Sequence, residues 1–301
     1  MTAHRSRPLD RPPRSLPPRS RSPGRSLLAV LTLSTACATT ERPPPRVTVI
    51  DDGALSVALE LAPGARAFEE AIRRALPFVV ERLARHGLTP TTRPLVRLHD
   101  DVGSFVRATG QTGPHLRAWA TYDTVDLAPI DTWRVQTERA LVERLTHELC
   151  HVALYQALGD EDDARALAPP FFFDEGTCSV VADQGASRAP IEVLKAHFVD
   201  ENPLADPTLA RASPALAYGA SHWASAALRD AYGPTVFRDV AARVARTPTA
   251  TKSAVADDPS ARHALYAAAL SAETGLDLAA LWMRVITPIG PSSDVSTLVI
   301  P

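Results

Sequence analysis

Hydrophobic periodicity divides the chain at about residue 134. Before that point, short apolar and alternating segments predict strands at 47–61, 94–99 and 118–130, with helices at 65–86 and 101–109. From residue 134 onward, apolar side chains recur at steps of three and four, and this predicts helices at 134–158, 172–184, 190–198, 214–232, 234–245, 260–273 and 277–286. The pattern therefore predicts an α+β fold, in which a small mixed sheet with helices is followed by an all-helical half.

Proline, glycine and acidic residues indicate where these predicted elements turn, kink or end. Asp52 and Gly53 favour a turn, so the first strand segment is either one strand or two. Pro77 interrupts the first helix and predicts a kink or a break there. Pro129 ends the last strand segment, which we expect near an edge of the sheet. The residues 159–170, GDEDDARALAPP, predict an acidic loop.

The first 37 residues have the composition of an export signal rather than of a folded domain. Arginine and proline dominate residues 1–26, and the apolar run LLAVLTLSTAC follows. The end of this run resembles a bacterial lipoprotein signal with residues 34–37 as the lipobox, which implies a lipid anchor at Cys37 and a location in the cell envelope. Plain secretion and a disordered cytosolic arm are the alternatives. The proline-rich stretch 38–46 is then a linker.

Charge is distributed unevenly between this leader and the rest of the chain. The whole sequence has 32 basic and 34 acidic residues, a net charge of −2. Seven arginines and Asp10 precede Cys37, so the remainder has 25 basic and 33 acidic residues, a net charge of −8. An acidic body of this kind argues against a nucleic-acid partner, which would require a basic surface.

Two cysteines remain if Cys37 is lipidated. Cys150 and Cys178 lie in the two segments that carry the candidate chemistry, and in an exported protein they can form a disulfide. Two buried free thiols are the alternative.

The segment RLTHELCHVALY, residues 144–155, contains the pattern H-E-x-x-H on a predicted helix. His147 and His151 are four positions apart, so their imidazoles lie one turn apart on one face of the helix. Two neutral imidazoles are typical zinc ligands, and Glu148 beside them can take a proton from the attacking water. The alternative is a surface helix with two ordinary histidines.

A third zinc ligand is expected on the following helix, in FFFDEGTCSVVAD, residues 171–183. A catalytic zinc site has three protein ligands and one open position, and Glu175 supplies the third if the two helices pack together. The phenylalanines 171–173 would anchor this helix in the core, and Gly176 would permit a close approach between helices. The alternative for Glu175 is a charge that the helix dipole favours near the N-terminus.

Together, THELCHVAL and FFFDEGTCSVVAD resemble the gluzincin metallopeptidases, in particular the bacterial peptidase MA-like group. Segments 217–244 and 271–285 are similar to that group's later helices, so the likeness covers roughly residues 95–286. It implies a zincin-like fold with the HExxH helix at the seam between the halves. It also implies one zinc ion bound by His147, His151 and Glu175, with Glu148 as the general base.

Further roles are implied by the same resemblance. Tyr218 matches a tyrosine that would donate a hydrogen bond to the developing oxyanion, and His222, four residues later, is the rival for that role. The alternatives are a core aromatic with a satisfied hydroxyl for Tyr218 and an ordinary surface histidine for His222. Asp174 either orients a ligand histidine or caps its helix. No glycine-rich exopeptidase motif is present, so the resemblance implies a metallo-endopeptidase acting on a peptide or protein substrate.

The expected organisation is an export signal (1–37), a linker (38–46), a mixed α/β subdomain (47–133), a helical zinc-peptidase subdomain (134–286) and an irregular tail (287–301). Two other functions stay open at this point. One is a non-catalytic peptidase-like lipoprotein that binds a partner or a peptide. The other is a structural lipoprotein without a metal.

Overall fold

A five-stranded mixed sheet and twelve α-helices make up the chain in a computed structural model that describes residues 46–61, 65–112, 116–133 and 135–287. The strands are β1 (Arg46–Asp51), β2 (Ser56–Leu61), β3 (Leu95–Leu98), β4 (Ala118–Ala120) and β5 (Thr124–Leu127). Their order in the sheet is β1-β2-β3-β5-β4. The central pairs β2–β3 and β3–β5 are parallel, and the outer pairs β1–β2 and β5–β4 are antiparallel.

Helices fill the described chain after residue 135 and confirm the α+β prediction. Two helices, α1 (Arg66–Arg85) and α2 (Val102–Thr109), lie among the strands. The others are α3 (Glu138–Ala157), α4 (Glu161–Ala166), α5 (Phe171–Val181), α6 (Ile191–His197), α7 (Leu209–Ala212), α8 (Pro214–Tyr232), α9 (Val236–Ala245), α10 (Thr249–Val255), α11 (Pro259–Thr274) and α12 (Leu278–Ile286).

Three local predictions are corrected or narrowed by the structure. The segment 118–130 is not one strand but two, β4 and β5, because the chain turns between them, where the Thr121 N–H donates to the Thr124 carbonyl. The segment 47–61 likewise forms two strands, and Gly53 in the turn has a φ of +81°, which glycine adopts without strain. The supposed loop 159–170 contains α4, whose first turn is capped by Asp160.

The first helix runs without a break through Pro77. Pro77 is exposed, whereas the apolar residues on both sides of it, Ile72, Leu76, Val79 and Leu83, are buried in the same core. Packing of this stripe therefore outweighs the loss of one backbone hydrogen bond at the proline.

One continuous core includes buried residues from both segments, 47–133 and 134–286. Helix α3 lies at the centre of this arrangement and packs against α1, α5, β4 and β5. Because almost all of its sides meet other elements, α3 buries polar as well as apolar residues.

Several predictions fall outside the described residues. They are the lipobox with Cys37, all but the last residue of the linker, and residues 288–301 of the tail. Among the helices that are described, none combines the length and the apolar composition that a membrane span requires.

Candidate metal centre

Two packed helices carry the residues of the candidate site. Helix α3 begins after Thr137, whose side chain accepts a hydrogen bond from the Ala140 N–H, and it presents His147, Glu148 and His151 in its buried middle. Helix α5 packs against α3 and presents Glu175 toward the two histidines. The sequence-predicted ligands are therefore brought together from positions 28 residues apart.

The three side chains converge on a small volume. The Nε2 atoms of His147 and His151 are 3.1 Å apart, and Glu175 Oε2 lies 3.1 Å from His147 Nε2. Glu175 Oε1 is 3.9 Å from His151 Nε2, and one ligand atom from each residue lies within 4.8 Å of the others. Tetrahedral zinc with Zn–N bonds of about 2.0–2.1 Å holds its ligand atoms about 3.4 Å apart, so this donor set fits such an ion.

Asp174 orients His151 rather than capping its helix. Its Oδ1 accepts a hydrogen bond of 2.7 Å from His151 Nδ1, which leaves Nε2 facing Glu175 and His147. Helix α5 begins after Pro170 without a side-chain cap, so the capping interpretation of Asp174 is wrong. A carboxylate that holds the outer nitrogen of a histidine is the usual support of a metal-ligating imidazole.

Tyr155 belongs to the same support and was missed in the sequence. Its hydroxyl donates a 3.0 Å hydrogen bond to Asp174 Oδ2, and its ring stacks on the His151 ring. The signal that could have revealed it is spacing, because Tyr155 follows His151 by four residues on α3.

The two glutamates of the site have pKa values shifted in opposite directions. Burial raises the pKa of Glu148, and Glu175 adds to this rise against the opposing effect of His147 and His151. Burial also acts to raise the pKa of Glu175, but the hydrogen bond with His147 and the charges of His151 and Arg188 outweigh it and lower that pKa to about 2. Glu175 is thus ionised and able to bind a cation, and Glu148 has the higher proton affinity.

The pKa of His151 is raised, because nearby carboxylates outweigh the effect of burial. Burial by itself would lower its pKa, but Asp174 and then Glu175 raise the pKa to about 10. The site concentrates negative charge around the imidazoles, which is the environment that a cation prefers.

An open cleft of about 640 Å³ exposes the cluster. Strand β4, at the edge of the sheet, lines one side of it, and Tyr218 of α8 lines it together with the cluster. His222 is not among the lining residues, although it lies one turn from Tyr218 on α8. Of the two candidates for the oxyanion donor, Tyr218 is the one that faces the cleft.

Tyr218 is held by two neighbours. Its ring makes an edge contact with Phe171, with centroids 4.9 Å apart, and the Arg188 guanidinium lies 4.8 Å from its centroid. Burial and then the charge of Glu175 raise its pKa, so the hydroxyl keeps its proton at neutral pH. Arg188 was not predicted from the sequence, because it follows a short 3-10 helix and no periodicity marks it.

His222 is buried and contacts side chains of the protein interior. Arg188 Nε donates to Ser179 Oγ over 2.8 Å, and that hydroxyl is 3.0 Å from His222 Nδ1. Burial, with the charge of Arg188, lowers the pKa of His222 to about 4, so the ring is neutral at neutral pH.

Gly176 permits the close helix approach that was expected, although its partner is α8 rather than α3. A Cβ atom at this position would lie 2.5 Å from the Ser221 carbonyl oxygen and 2.5 Å from Ser225 Oγ. No side chain fits there, so Gly176 lets α8 bring Tyr218 up to the cluster.

A disulfide joins the two helices of the candidate site. Cys150 of α3 and Cys178 of α5 are bonded, with Cα atoms 5.4 Å apart. This decides between the two alternatives left open for these cysteines, and it removes Cys178 from the possible metal ligands.

Comparisons with known proteins add no relative to this picture. The chain matches no protein-family model, and a search of curated proteins finds no significant match.

Proposed function

We propose that this chain is a zinc-dependent metallo-endopeptidase of the gluzincin type, with a zincin-like arrangement in which the HExxH helix α3 lies at the seam between sheet and helices. The observation that carries the proposal is the convergence of His147, His151 and Glu175 within 4.8 Å, in an open cleft that also contains Glu148. The resemblance of both segments to gluzincin peptidases points to the same chemistry.

Zinc is the ion that this donor set favours. Two imidazole nitrogens and one carboxylate are the ligands of a catalytic zinc site with an open position, and the disulfide takes up both cysteines of the described residues, so neither can complete a closed structural site. A bound zinc ion polarises the scissile carbonyl and lowers the pKa of water.

Glu148 acts as the general base. It follows the first histidine ligand directly and faces the same cleft, and burial raises its pKa toward the working range of a proton acceptor. It takes a proton from the attacking water and later returns it to the nitrogen of the leaving amine.

Tyr218 acts as the oxyanion donor. Its protonated hydroxyl faces the cleft, and Phe171 and Arg188 fix the position of its ring. A donor that is held in place before the reaction stabilises the negative charge on the former carbonyl oxygen without reorganisation.

Strand β4 offers a place for the peptide backbone. It ends the sheet in the described part of the chain, and its three residues, Ala118, Trp119 and Ala120, line the cleft. An extended substrate can add to such an edge through backbone hydrogen bonds, which impose no particular side chain.

The location that we propose for the enzyme is the cell envelope, with a lipid anchor at Cys37 and no nucleic-acid partner. The signal-like leader and the net charge of −8 of the remaining chain support this, and the Cys150–Cys178 disulfide agrees with an oxidising compartment.

The test is a single carboxyl-to-amide change on α3. We expect Glu148→Gln to retain zinc and to lower the hydrolysis of an internally quenched peptide library by about 10²- to 10⁴-fold, since only the proton acceptor is lost. Glu138→Gln makes the same change at an exposed position of the same helix and should leave hydrolysis unchanged.

Two outcomes would contradict the proposal. Wild-type protein that binds zinc but cleaves no library peptide would favour the non-catalytic binding protein. Full activity of Glu148→Gln would show that another group is the base.

A further inference from the structure

A guanidinium group that forms no ion pair within the described part of the chain lies beside the proposed general base. Arg144 precedes Glu148 by one turn of α3 and lines the same cleft. Its Cζ is 4.3 Å from the centroid of the Trp133 ring, and its Nε is buried with no hydrogen-bond partner in the described part of the chain. A half-buried cation whose Nε is unpaired in this way costs free energy until an anion joins it.

Glu148, one turn from Arg144, is the cleft carboxylate that acts on its charge, whereas three others are engaged elsewhere. Asp174 accepts from His151 and Tyr155, and Glu175 faces His147. Glu143 accepts from the exposed Arg139 over 2.7 Å. Among the described residues, no ion pair within 4.0 Å includes Arg144, so Glu148 influences its charge without contacting it as an ion pair.

A second guanidinium group lines the cleft near Arg144. Arg117 directly precedes β4, and its Nε donates to the Thr132 carbonyl over 2.7 Å. Burial and the charge of Arg117 lower the pKa of Arg144, whereas Glu148 acts in the opposite direction. Two like charges that line one cleft favour the arrival of a negative group.

We propose that Arg144 and Arg117 form a subsite for a carboxylate group of the substrate, next to the reacting bond. The inference rests on the proposed peptidase function. The planar guanidinium of Arg144 matches a carboxylate in two parallel hydrogen bonds, and stacking on Trp133 holds its plane before the substrate binds. The carboxylate comes either from an acidic side chain or from the C-terminus of the peptide.

The experiment measures binding apart from cleavage. Zinc-loaded full chain with Glu148→Gln is titrated, by ligand-observed NMR, with acetylated alanine hexapeptides that carry Glu or Gln at one position. Each peptide is made with a free and with an amidated C-terminus. Wild-type hydrolysis of the same peptides reports on the proposed function separately.

We expect a carboxylate to strengthen binding about tenfold or more, and Arg144→Gln to abolish that advantage. A preference for Glu over Gln identifies an acidic side chain as the source, and a preference for the free C-terminus identifies the terminal carboxylate. Arg144→Lys keeps the positive charge but loses the planar pair of N–H donors, so it should retain only part of the preference for a carboxylate. This variant serves as the test if Arg144→Gln does not fold.

The matched control is Arg165→Gln, which removes an arginine from the exposed face of α4, where it pairs with Glu161 and Asp162. It should leave the carboxylate preference intact. The subsite is overturned if no hexapeptide binds, if neither carboxylate matters, or if the preference survives in Arg144→Gln. Binding with an Arg144-dependent preference but without wild-type hydrolysis would overturn the peptidase and keep the subsite.

Discussion

Two buried clusters of this protein combine histidine with carboxylates, and they differ in how completely their charges are paired. In the sheet, Asp126 accepts from His99 over 2.7 Å and from Arg97 over 3.1 Å, and Arg97 also reaches Glu60. In the cleft, His147 and His151 point their Nε2 atoms at each other and at Glu175.

Burial does not distinguish the two clusters, because His99 and His147 are both 8% exposed. The pairing of charges does distinguish them. Burial alone would lower the pKa of Arg97, but Glu60 and Asp126 raise it, whereas burial lowers the pKa of Arg144 and Arg188 in the cleft. The charges of the sheet cluster are paired with one another, whereas the cleft cluster has convergent metal-ligand atoms and, in Arg144, a guanidinium group without an ion pair among the described residues.

The largest expected effect is on metal content. We expect metal analysis to find one zinc per chain in the wild type and none in the double variant His147→Ala/Glu175→Ala, because one imidazole alone cannot hold the ion. The matched change His99→Ala/Asp126→Ala removes the same kinds of group from the sheet and should keep the zinc. Equal zinc content in both double variants would show that His147 and Glu175 do not hold the ion.

The disulfide should be the next largest effect, since it tethers only the cleft cluster. We expect Cys150→Ala/Cys178→Ala to lower the free energy of unfolding by about 3–4 kcal/mol, from the entropy of the loop that a 28-residue separation closes. Denaturant unfolding measures this. Reductant should destabilise the wild type and leave the double variant unaffected; an equal response of both would contradict the expectation.

His222 provides a pH test, as a buried histidine outside both clusters. Its folded pKa of about 4 lies below the unfolded value of 6.5, so the unfolded chain binds the proton more tightly. The stabilisation of the folded state by neutral His222 is complete above pH 6.5. As the pH falls to 4, this stabilisation is lost, and the free energy of unfolding decreases by up to about 3 kcal/mol. We expect His222→Gln to flatten the fall in unfolding free energy over this window. An unchanged slope would show that other groups cause it.

The smallest expected effect separates the two aspartates. We expect Asp174→Asn to weaken zinc binding by about 10- to 100-fold, because the amide supports the His151 imidazole less well than the carboxylate does. Asp126→Asn should leave zinc affinity unchanged and instead destabilise the fold. Competition with a zinc chelator measures the first effect, and loss of zinc affinity in Asp126→Asn would contradict the division of roles.

Hydrophobic spacing along the chain is enough to predict the helices that carry the candidate site. The helices α3, α5 and α8 appear close to their predicted bounds, since apolar spacing of three and four residues is a local property. The adjacency of His147 and His151 follows from the same geometry, because residues four apart on a helix are neighbours.

Which distant side chains meet depends on how the helices and the sheet pack together. The tertiary structure placed Asp174 on His151 rather than at a helix cap, turned Tyr218 rather than His222 toward the cleft, and joined Cys150 to Cys178. It also brought Arg144 and Trp133 together, which no spacing indicated. The physical reason is that helix periodicity specifies which face is apolar, whereas the direction in which each face packs depends on contacts such as the close approach at Gly176.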